Sequence, residues 1–540
     1  MHPEDLHMSI LSRFFNDDKK AVIGKVSGFI EDYVPKKVRR NCGLGKPSDL
    51  AKDSSGEQLS LDDSLFALGN GGASLLGPVP SKVEIVEASE MNYLGYSADT
   101  LLLDKIAIGF MDTTFYRLLQ LNKADGIKNA YEKDTWYRFD QAHVNWEGLQ
   151  TKTAANVIAH IRNNTDMNGY RGALAIDDSL YERTMGVHGG KSKDKVTEFL
   201  GTVYDHTDRK SRLGFRMMTA VWTNGDDTVP VSQCLLATRK EELREGSFEV
   251  GDCRTWEGKR RLRAITKGTD VMVQMVETAI TAGIEFDDVL ADTWFSKPAQ
   301  AIAIKKLEVD LIAMTYKGNA KYGVLLPGKQ VGKKGVEAED LEWMTVKEIY
   351  SSNKKKRGVS RYLLSVDVWM KDVDGTLYPA RLVFARNHSN RKQWVVFICT
   401  NMSLSENDIL ARYAFRWNVE RYFKLEKSYL GLQDCHSTSY DALTCRMVIA
   451  ALRFMFLSVQ RFDAGDNRSL EQIFAQVKRQ VVGYLVENAA IFVANLVFES
   501  VERVLKPTKE QMKELLLDFL ENLPEAIGSR LDKSKVEAIA

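Results

Sequence analysis

The sequence predicts an α/β protein with a mixed sheet, a β-rich insertion and helical segments at both ends. Between residues 172 and 291, short apolar runs rich in β-forming residues are separated by one stretch with helical spacing. From about 305 to 400, alternating strand patterns are separated by turns rich in lysine and glycine. Apolar residues return to helical spacing before and after these regions. This order of elements is typical of an α/β fold with an inserted sheet.

The elements divide the chain into five predicted regions. The helical N-terminal region is 1–165, the first part of the core is 166–304, the insertion is 305–400, a helix that completes the core is 401–435, and the helical C-terminal region is 436–540. The predicted strands are 172–178, 199–204, 213–222, 286–291, 362–368, 378–385 and 394–399, and the main predicted helices are 265–282 and 404–430.

Composition excludes several classes of protein. The 540 residues carry 74 Lys+Arg and 73 Asp+Glu, a formal charge of +1, which rules out a uniformly basic coat for nucleic acid. The six cysteines form no Cys-x-x-Cys pair and the eight histidines show no zinc-ligand spacing, so neither a disulfide framework nor a zinc site is expected. Affinity for phosphates must come from local basic clusters: Arg254–Lys267, Lys354–Arg361, and Arg386 with Arg391 and Lys392.

No membrane segment is expected. The N-terminus lacks a basic stretch followed by an apolar run, so it does not resemble a signal peptide. The most apolar stretch, Leu443–Val459, is interrupted by Arg446 and Arg453. We therefore predict a buried helix there and a cytoplasmic, nucleoid-associated protein of bacterial type.

Three acids stand out by their position. Asp178 and Asp292 each follow an apolar run, and Glu420 lies within a long predicted helix. An acid at the end of a buried strand is costly unless it is paired or bound to metal. Carboxylates gathered from separate elements suit Mg²⁺ or Mn²⁺, and two such ions can activate an attacking oxygen and stabilise a leaving one on a phosphodiester. The alternative for any one of these acids is a turn residue or a helix cap.

The helix around Glu420 presents two different faces. At about 100° per residue, Tyr413, Arg416, Glu420 and Lys427 fall within about 60° of one another, whereas the apolar residues occupy an arc of roughly 180–280°. One face is therefore core, and the other offers an acid between cations and a phenol. The alternative is a solvated helix with ion pairs at i,i+4.

The same four residues carry a resemblance to a known family. Tyr413-x2-Arg416-x3-Glu420-x6-Lys427 resembles the Tyr-Arg-Glu-Lys signature of DDE transposases in insertion-sequence family four. Three further blocks resemble those of the family and occur in its order, namely Ala175–Ser179, Val289–Phe295 and Asn387–Val396.

The resemblance implies a ribonuclease H-like core, interrupted by a β-rich insertion before the last acid. It implies a divalent-metal site of Asp178, Asp292 and Glu420, and hydrolytic nicking followed by attack of the freed 3′-hydroxyl on target DNA, in some members through a hairpin. Arg416 and Lys427 would then hold phosphates, Tyr413 would contact the terminal backbone, and Trp394 would stack on a flipped base. For Trp394, a buried strand residue is the alternative.

Several alternatives remain open. Asp177 and Asp178 are adjacent, and strand alternation points them to opposite faces, so only one can join the other acids; the block comparison favours Asp178.

The function expected is a DNA transposase acting on double-stranded element ends and target as a homodimer or higher oligomer. The alternatives are a nuclease without strand transfer and a domesticated DNA-binding protein. From position alone, the N-terminal region is assigned to end binding and the C-terminal region to oligomerisation or DNA contacts.

Overall fold

The fold is described from a computed structural model of the protein. The residues that the structure describes are 25–26, 28–34, 98–110, 114–124, 133–142, 144–183, 196–205, 209–331, 335–356, 360–387, 390, 393–479 and 511.

Eleven strands form one mixed sheet in this part of the chain. They are β1 (Ala173–Glu182), β2 (Gly201–Asp205), β3 (Lys210–Thr223), β4 (Thr228–Leu236), β5 (Asp288–Ala291), β6 (Asp310–Met314), β7 (Lys321–Leu325), β8 (Leu341–Thr345), β9 (Tyr362–Lys371), β10 (Leu377–Arg386) and β11 (Trp394–Cys399). Their order across the sheet is β2-β3-β1-β5-β6-β11-β10-β9-β7-β8, and β4 pairs with β3.

The centre of the sheet is parallel. β1, β5 and β6 run in the same direction, with Ile176 opposite Ala291 and Ala291 opposite Ala313. Parallel strands are covered on both faces, so their sequences are continuous apolar runs rather than alternating ones. Ala173–Ile176 and Val289–Ala291 are such runs, and each of their residues is fully buried. The carboxyl ends of these three strands therefore share one edge of the sheet.

Helices cover both faces of the sheet. They are α1 (Ala98–Ala107), α2 (Phe115–Ala124), α3 (Lys133–Asp140), α4 (Trp146–Asn163), α5 (Trp256–Ala264), α6 (Gly268–Thr281), α7 (Pro298–Lys306), α8 (Val346–Ser352), α9 (Glu406–Ala414), α10 (Trp417–Ser428) and α11 (Tyr440–Asp463). From the C-terminal region, α11 packs on β4 beside α4 and also contacts α1 and α3, so helices from both ends of the chain form one layer.

The apolar stretch predicted to be a buried helix is α11. By length and composition it is the one helix among the described residues that could cross a membrane, but 94% of its apolar window is buried inside the protein. Arg453, near its middle, is buried and donates hydrogen bonds to the carbonyls of Ile106, Leu430 and Lys105. These bonds tie the ends of two other helices to α11, as expected for a core helix.

The insertion is continuous with the core sheet. β6, which lies inside the predicted 305–400 region, pairs with β5, and β11 returns to pair with β6. Neither β6 nor β4 was predicted from the sequence, whereas the predicted bounds of β11 agree with the structure. The mixed α/β class is thus confirmed, and the ribonuclease H-like arrangement remains a prediction.

The predicted helix 404–430 is two helices, α9 and α10. At their junction the amides of Phe415 and Arg416 bond to carbonyls three residues back, a 3₁₀ turn. Asn418 is buried here and donates from its side chain to Thr223 and to the carbonyl of Gly225. These contacts with the β3–β4 turn fix where the helix changes direction.

Candidate active site

A row of polar residues crosses the central strands under α10. Gln233 of β4 lies opposite Thr219 of β3, which lies opposite Asp177 of β1. The pairing between β1 and β5 ends where Ile176 lies opposite Ala291. Asp177 follows Ile176 and Asp292 follows Ala291, so the two acids stand side by side. Residues in register on neighbouring strands point to the same face. Asp177 and Asp292 therefore share the face that α10 covers.

Arg416 links Asp177 to Glu420. It donates from Nη1 to Oδ2 of Asp177 (2.6 Å) and from Nη2 to Oε1 of Glu420 (2.9 Å). The pKa of Asp177 is raised to about 7, chiefly because burial disfavours the charged form; Arg416 opposes this shift, and the carboxylates of Asp178 and Asp292 add to it. The structure thus brings an acid of β1, an arginine and the helix acid into one connected group.

Asp178 lies on the other face of β1. Its carboxylate pairs with Arg216 of β3, two residues along from its register partner Met218. Met218 also faces the N-terminus of α6, since a Cβ placed on Gly268 would lie 3.4 Å from its sulfur. This geometry joins Asp177, and not the predicted Asp178, to Glu420 through Arg416, but both acids line the cleft that contains Asp292, so the choice of Asp178 stays a prediction.

Asp292 lies at the mouth of a cleft. Its Oδ1 accepts hydrogen bonds from the amide (2.6 Å) and hydroxyl (3.2 Å) of Thr293 and caps the 3₁₀ turn Thr293–Phe295. The cleft measures about 520 Å³ and is lined by Asp177, Asp178, Ser179, Leu180, Glu182, Asp205, Arg216, Asp292, Thr293, Trp294, Lys427 and Gln433. Carboxylates therefore outnumber cations in its walls, which suits a bound cation more than an anion.

Tyr413 and Lys427 flank the acids, as the signature predicts. Tyr413 packs on Phe397 of β11, with ring centroids 4.7 Å apart, and burial raises its hydroxyl pKa to about 12. Lys427 donates to the hydroxyl of Ser179 (2.6 Å), two residues along β1 from Asp177. Burial lowers the pKa of Lys427, and nearby acids oppose the shift. The four signature residues therefore lie along one side of the α9–α10 pair.

Trp394 does not present a free ring. Tyr350 stacks on it, with centroids 4.3 Å apart and planes 18° from parallel, and the ammonium of Lys317 lies 4.0 Å from its centroid. A base could stack on this indole only after one of these neighbours moved. Arg386 is exposed at the end of β10, opposite Trp394. Arg391 and Lys392 lie outside the residues that the structure describes.

Three of the six cations in the basic cluster Arg254–Lys267 are paired inside the protein. Within α5, Arg260 and Arg261 both pair with Asp441 of α11, and Arg263 pairs with Glu147 of α4. Arg260 is buried, so this pairing holds helices together rather than offering charge to a ligand. Phosphate binding by the other cations of the cluster stays a prediction.

A buried acid on α10 was not identified from the sequence. The carboxylate of Glu426 is fully buried and accepts from Nε2 of Gln233 (2.8 and 3.1 Å), whose own Oε1 accepts from the hydroxyl of Tyr422. Burial raises the pKa of Glu426 to about 8. A signal was present, since Glu426 falls at about 220° on the helix, inside the apolar arc.

Comparison with known proteins agrees with this site in part. Residues 265–455 match the family model described as the transposase DDE domain, over about a third of the chain. The matched range contains Asp292 and Glu420 but begins after β1, so it does not choose between Asp177 and Asp178. No curated protein matches the chain. The match supports a DDE transposase, and insertion-sequence family four remains a prediction within that class.

Proposed function

We propose that the protein is a metal-dependent DNA transposase that cleaves element ends and joins the freed 3′-hydroxyls to target DNA. Asp177, Asp292 and Glu420 are its three acids. One observation carries the proposal: Asp177 and Asp292 stand side by side at the ends of two adjacent parallel strands, and Arg416 joins Asp177 to Glu420 of the crossing helix. Carboxylates gathered on one face in this way suit phosphodiester chemistry with divalent ions.

The residues fit a divalent cation in part. Among the described residues, no group of three or more His, Cys, Asp and Glu side chains is arranged as a ready metal site. Asp177 and Asp292 nevertheless stand side by side, and burial is the main cause of the raised pKa of Asp177, a cost that a bound cation would offset. Oxygen ligands of this kind suit Mg²⁺ or Mn²⁺. Asp177 and Asp292 would hold the ion, and Glu420 would join them on leaving Arg416.

The chain supplies the rest of the chemistry around the scissile phosphate. A bound divalent ion would polarise the phosphate and favour the ionised attacking oxygen. In the first step a water oxygen bonds to phosphorus and loses a proton to solvent, the bond from phosphorus to the 3′-oxygen breaks, and that oxygen takes up a proton to become a 3′-hydroxyl. In the second step the oxygen of this hydroxyl bonds to a target phosphorus and loses its proton to solvent, while the bond from that phosphorus to the target 3′-oxygen breaks and the departing oxygen takes up a proton. Arg416 can grip phosphate oxygens through its fork, and Lys427 can act as a point charge.

Other roles follow from the resemblance. We assign Tyr413 to the terminal DNA backbone and Arg386, with Arg391 and Lys392, to phosphate contacts beside the insertion. Synapsis of two element ends would require a homodimer or higher oligomer. The N-terminal region would bind ends, and the C-terminal region would serve oligomerisation or DNA contacts. A hairpin step that uses Trp394 would require its cluster with Tyr350 and Lys317 to open.

Two further functions are kept as alternatives. A nuclease that only hydrolyses would share the three acids but would not form joined products. A domesticated DNA-binding protein would bind without cleaving. The Arg416 bridge between two acids favours catalysis over both binding alone and an inert fold, because an arginine that serves only DNA binding has no need of paired carboxylates.

The test uses duplex DNA from the sequences that flank the gene, with Mg²⁺, and products resolved on a denaturing gel. We expect nicked and joined strands from the parent protein and none from Asp292→Ala, because a carboxylate that holds the cation is lost. Glu339→Ala, at an exposed acid of the insertion, is the matched control and should cleave normally. Cleavage at the parent rate by Asp292→Ala would contradict the proposal. Nicking without joined strands would favour the nuclease.

A further inference from the structure

Two aromatic residues leave the sheet side by side next to Asp292. Trp294 lies three residues after Ala291, the last residue of β5. Tyr316 lies two residues after Met314, the last residue of β6. The two strands are parallel neighbours, so both segments emerge at the same edge, about 4.8 Å apart where the strands end. The sheet itself therefore sets Trp294 and Tyr316 beside the acids.

Both rings are exposed, although their surroundings hold them in place. The exposed fraction is 63% for Trp294 and 73% for Tyr316, whereas Phe295, the residue after Trp294, is 1% exposed and anchors the 3₁₀ turn. The ring of Tyr316 lies against Gly318, where an added Cβ would sit 2.6 Å from Cδ1. Gly318 thus leaves room for the ring to rest on the backbone and turn its other face outward.

The charge around this pair differs from one side to the other. Trp294 lines the cleft with Asp177 and Asp292. On the other side, Lys317 follows Tyr316; its ammonium lies over Trp394 and donates to the carbonyl of that residue, and its pKa is lowered by burial and by the nearby Lys347. Aromatic faces next to lysines are the combination that binds single-stranded nucleic acid: bases stack on the rings, and the cations follow the backbone.

We propose that Trp294 and Tyr316 form a stacking platform for unpaired bases of the DNA strand next to the scissile phosphate. The inference rests on the proposed function and adds a binding subsite to it. Unpaired bases are the fitting occupant, because a base within a duplex already has both faces covered by its neighbours. The platform is separate from Trp394, whose ring is packed against Tyr350 and Lys317.

The experiment measures binding without divalent metal, so that cleavage does not interfere. The probes are a single strand of about 20 nucleotides containing 2-aminopurine and a blunt duplex of the same sequence, long enough for a typical single-strand site. We expect Trp294→Ala and Tyr316→Ala each to weaken single-strand binding about tenfold and to reduce quenching of the probe, while duplex binding changes less than about twofold. Trp294→Phe and Tyr316→Phe keep a stacking ring and should bind like the parent.

An exposed aromatic elsewhere provides a matched control. Tyr204→Ala on β2 removes a ring that is 47% exposed and lies three strands away from β5. This variant should bind the single strand as the parent does. The platform is wrong if its alanine variants match this control, or if they lose single-strand and duplex binding equally. Failure of the proposed function would be seen in a different assay. It would appear as DNA cleavage by Asp292→Ala, whatever the single-strand binding experiment shows.

Discussion

Asp177 and Asp178 are neighbours in the sequence, yet they belong to different surroundings. Asp177 lies under α10, is largely desolvated, and shares Arg416 with Glu420. Asp178 lies on the opposite face and pairs with Arg216 of the adjacent strand. One step along a strand therefore separates an acid connected to the helix from an acid held within the sheet. Strand alternation predicts that the two acids point to opposite faces, but the sequence does not show which of these faces α10 covers.

The largest effect on the cleavage rate is expected from replacing Arg416, the arginine that pairs with Asp177. Arg416→Ala leaves the desolvated carboxylate of Asp177 without its partner and removes a cation from the phosphate site. We expect the single-turnover cleavage rate to fall by at least about 100-fold. Arg416→Lys keeps the charge but cannot bridge two carboxylates, so a loss of about 10–100-fold is expected.

Arg216→Ala is the matched change on the Asp178 side. Because its partner Asp178 lies on the face away from α10, we expect a smaller loss of cleavage than in Arg416→Ala, although both Arg216 and Asp178 line the cleft. Comparable losses in Arg216→Ala and Arg416→Ala would mean that the two faces do not differ in function.

A smaller effect is expected from Glu426, which holds α10 on the strands beside Asp177. Its pKa is about 8 in the folded protein and ordinarily 4.5, so between these values the folded state binds more protons than the unfolded state. The free energy of unfolding should therefore fall as pH rises from about 4.5 through about 8.

Glu426→Gln removes this titration and retains a hydrogen bond from Gln233. Urea unfolding at pH 5 and pH 8 should show a smaller loss of stability in Glu426→Gln than in the parent, and Glu426→Leu should destabilise at both values because Gln233 loses its acceptor. If the free energy of unfolding falls equally from pH 5 to pH 8 in the parent and in Glu426→Gln, Glu426 is not the group whose raised pKa causes the loss.

Much of the architecture could be predicted from local pattern. The apolar runs before Asp177 and Asp292 gave the central parallel strands, and the predicted β11 has the bounds that the structure shows. β4 and β6 were missed because a short apolar run does not distinguish strand from helix or loop. The break between α9 and α10 could not be seen either, since it depends on the contacts of Asn418 with a distant turn.

The site was predictable to a lesser extent, because its geometry depends on which residues meet in space. The positions of Arg416, Glu420 and Lys427 on one side of the helix followed from helical spacing, and their partners Asp177 and Ser179 did not. The cationic cluster of α5 was expected to bind phosphates, but Asp441 and Glu147 from distant helices pair with three of its arginines. Charge counted along the chain omits partners that only folding supplies.

The most direct test of the account compares Asp177→Ala with Asp178→Ala in one assay. Single-turnover cleavage of end DNA with Mg²⁺ is measured for both proteins, with thermal unfolding as a check that each is folded. We predict that Asp177→Ala loses cleavage while Asp178→Ala keeps most of the parent rate, because Asp177 is joined to Glu420 through Arg416, whereas Asp178 pairs with Arg216. Loss of cleavage in Asp178→Ala together with its retention in Asp177→Ala would contradict the assignment of the catalytic face.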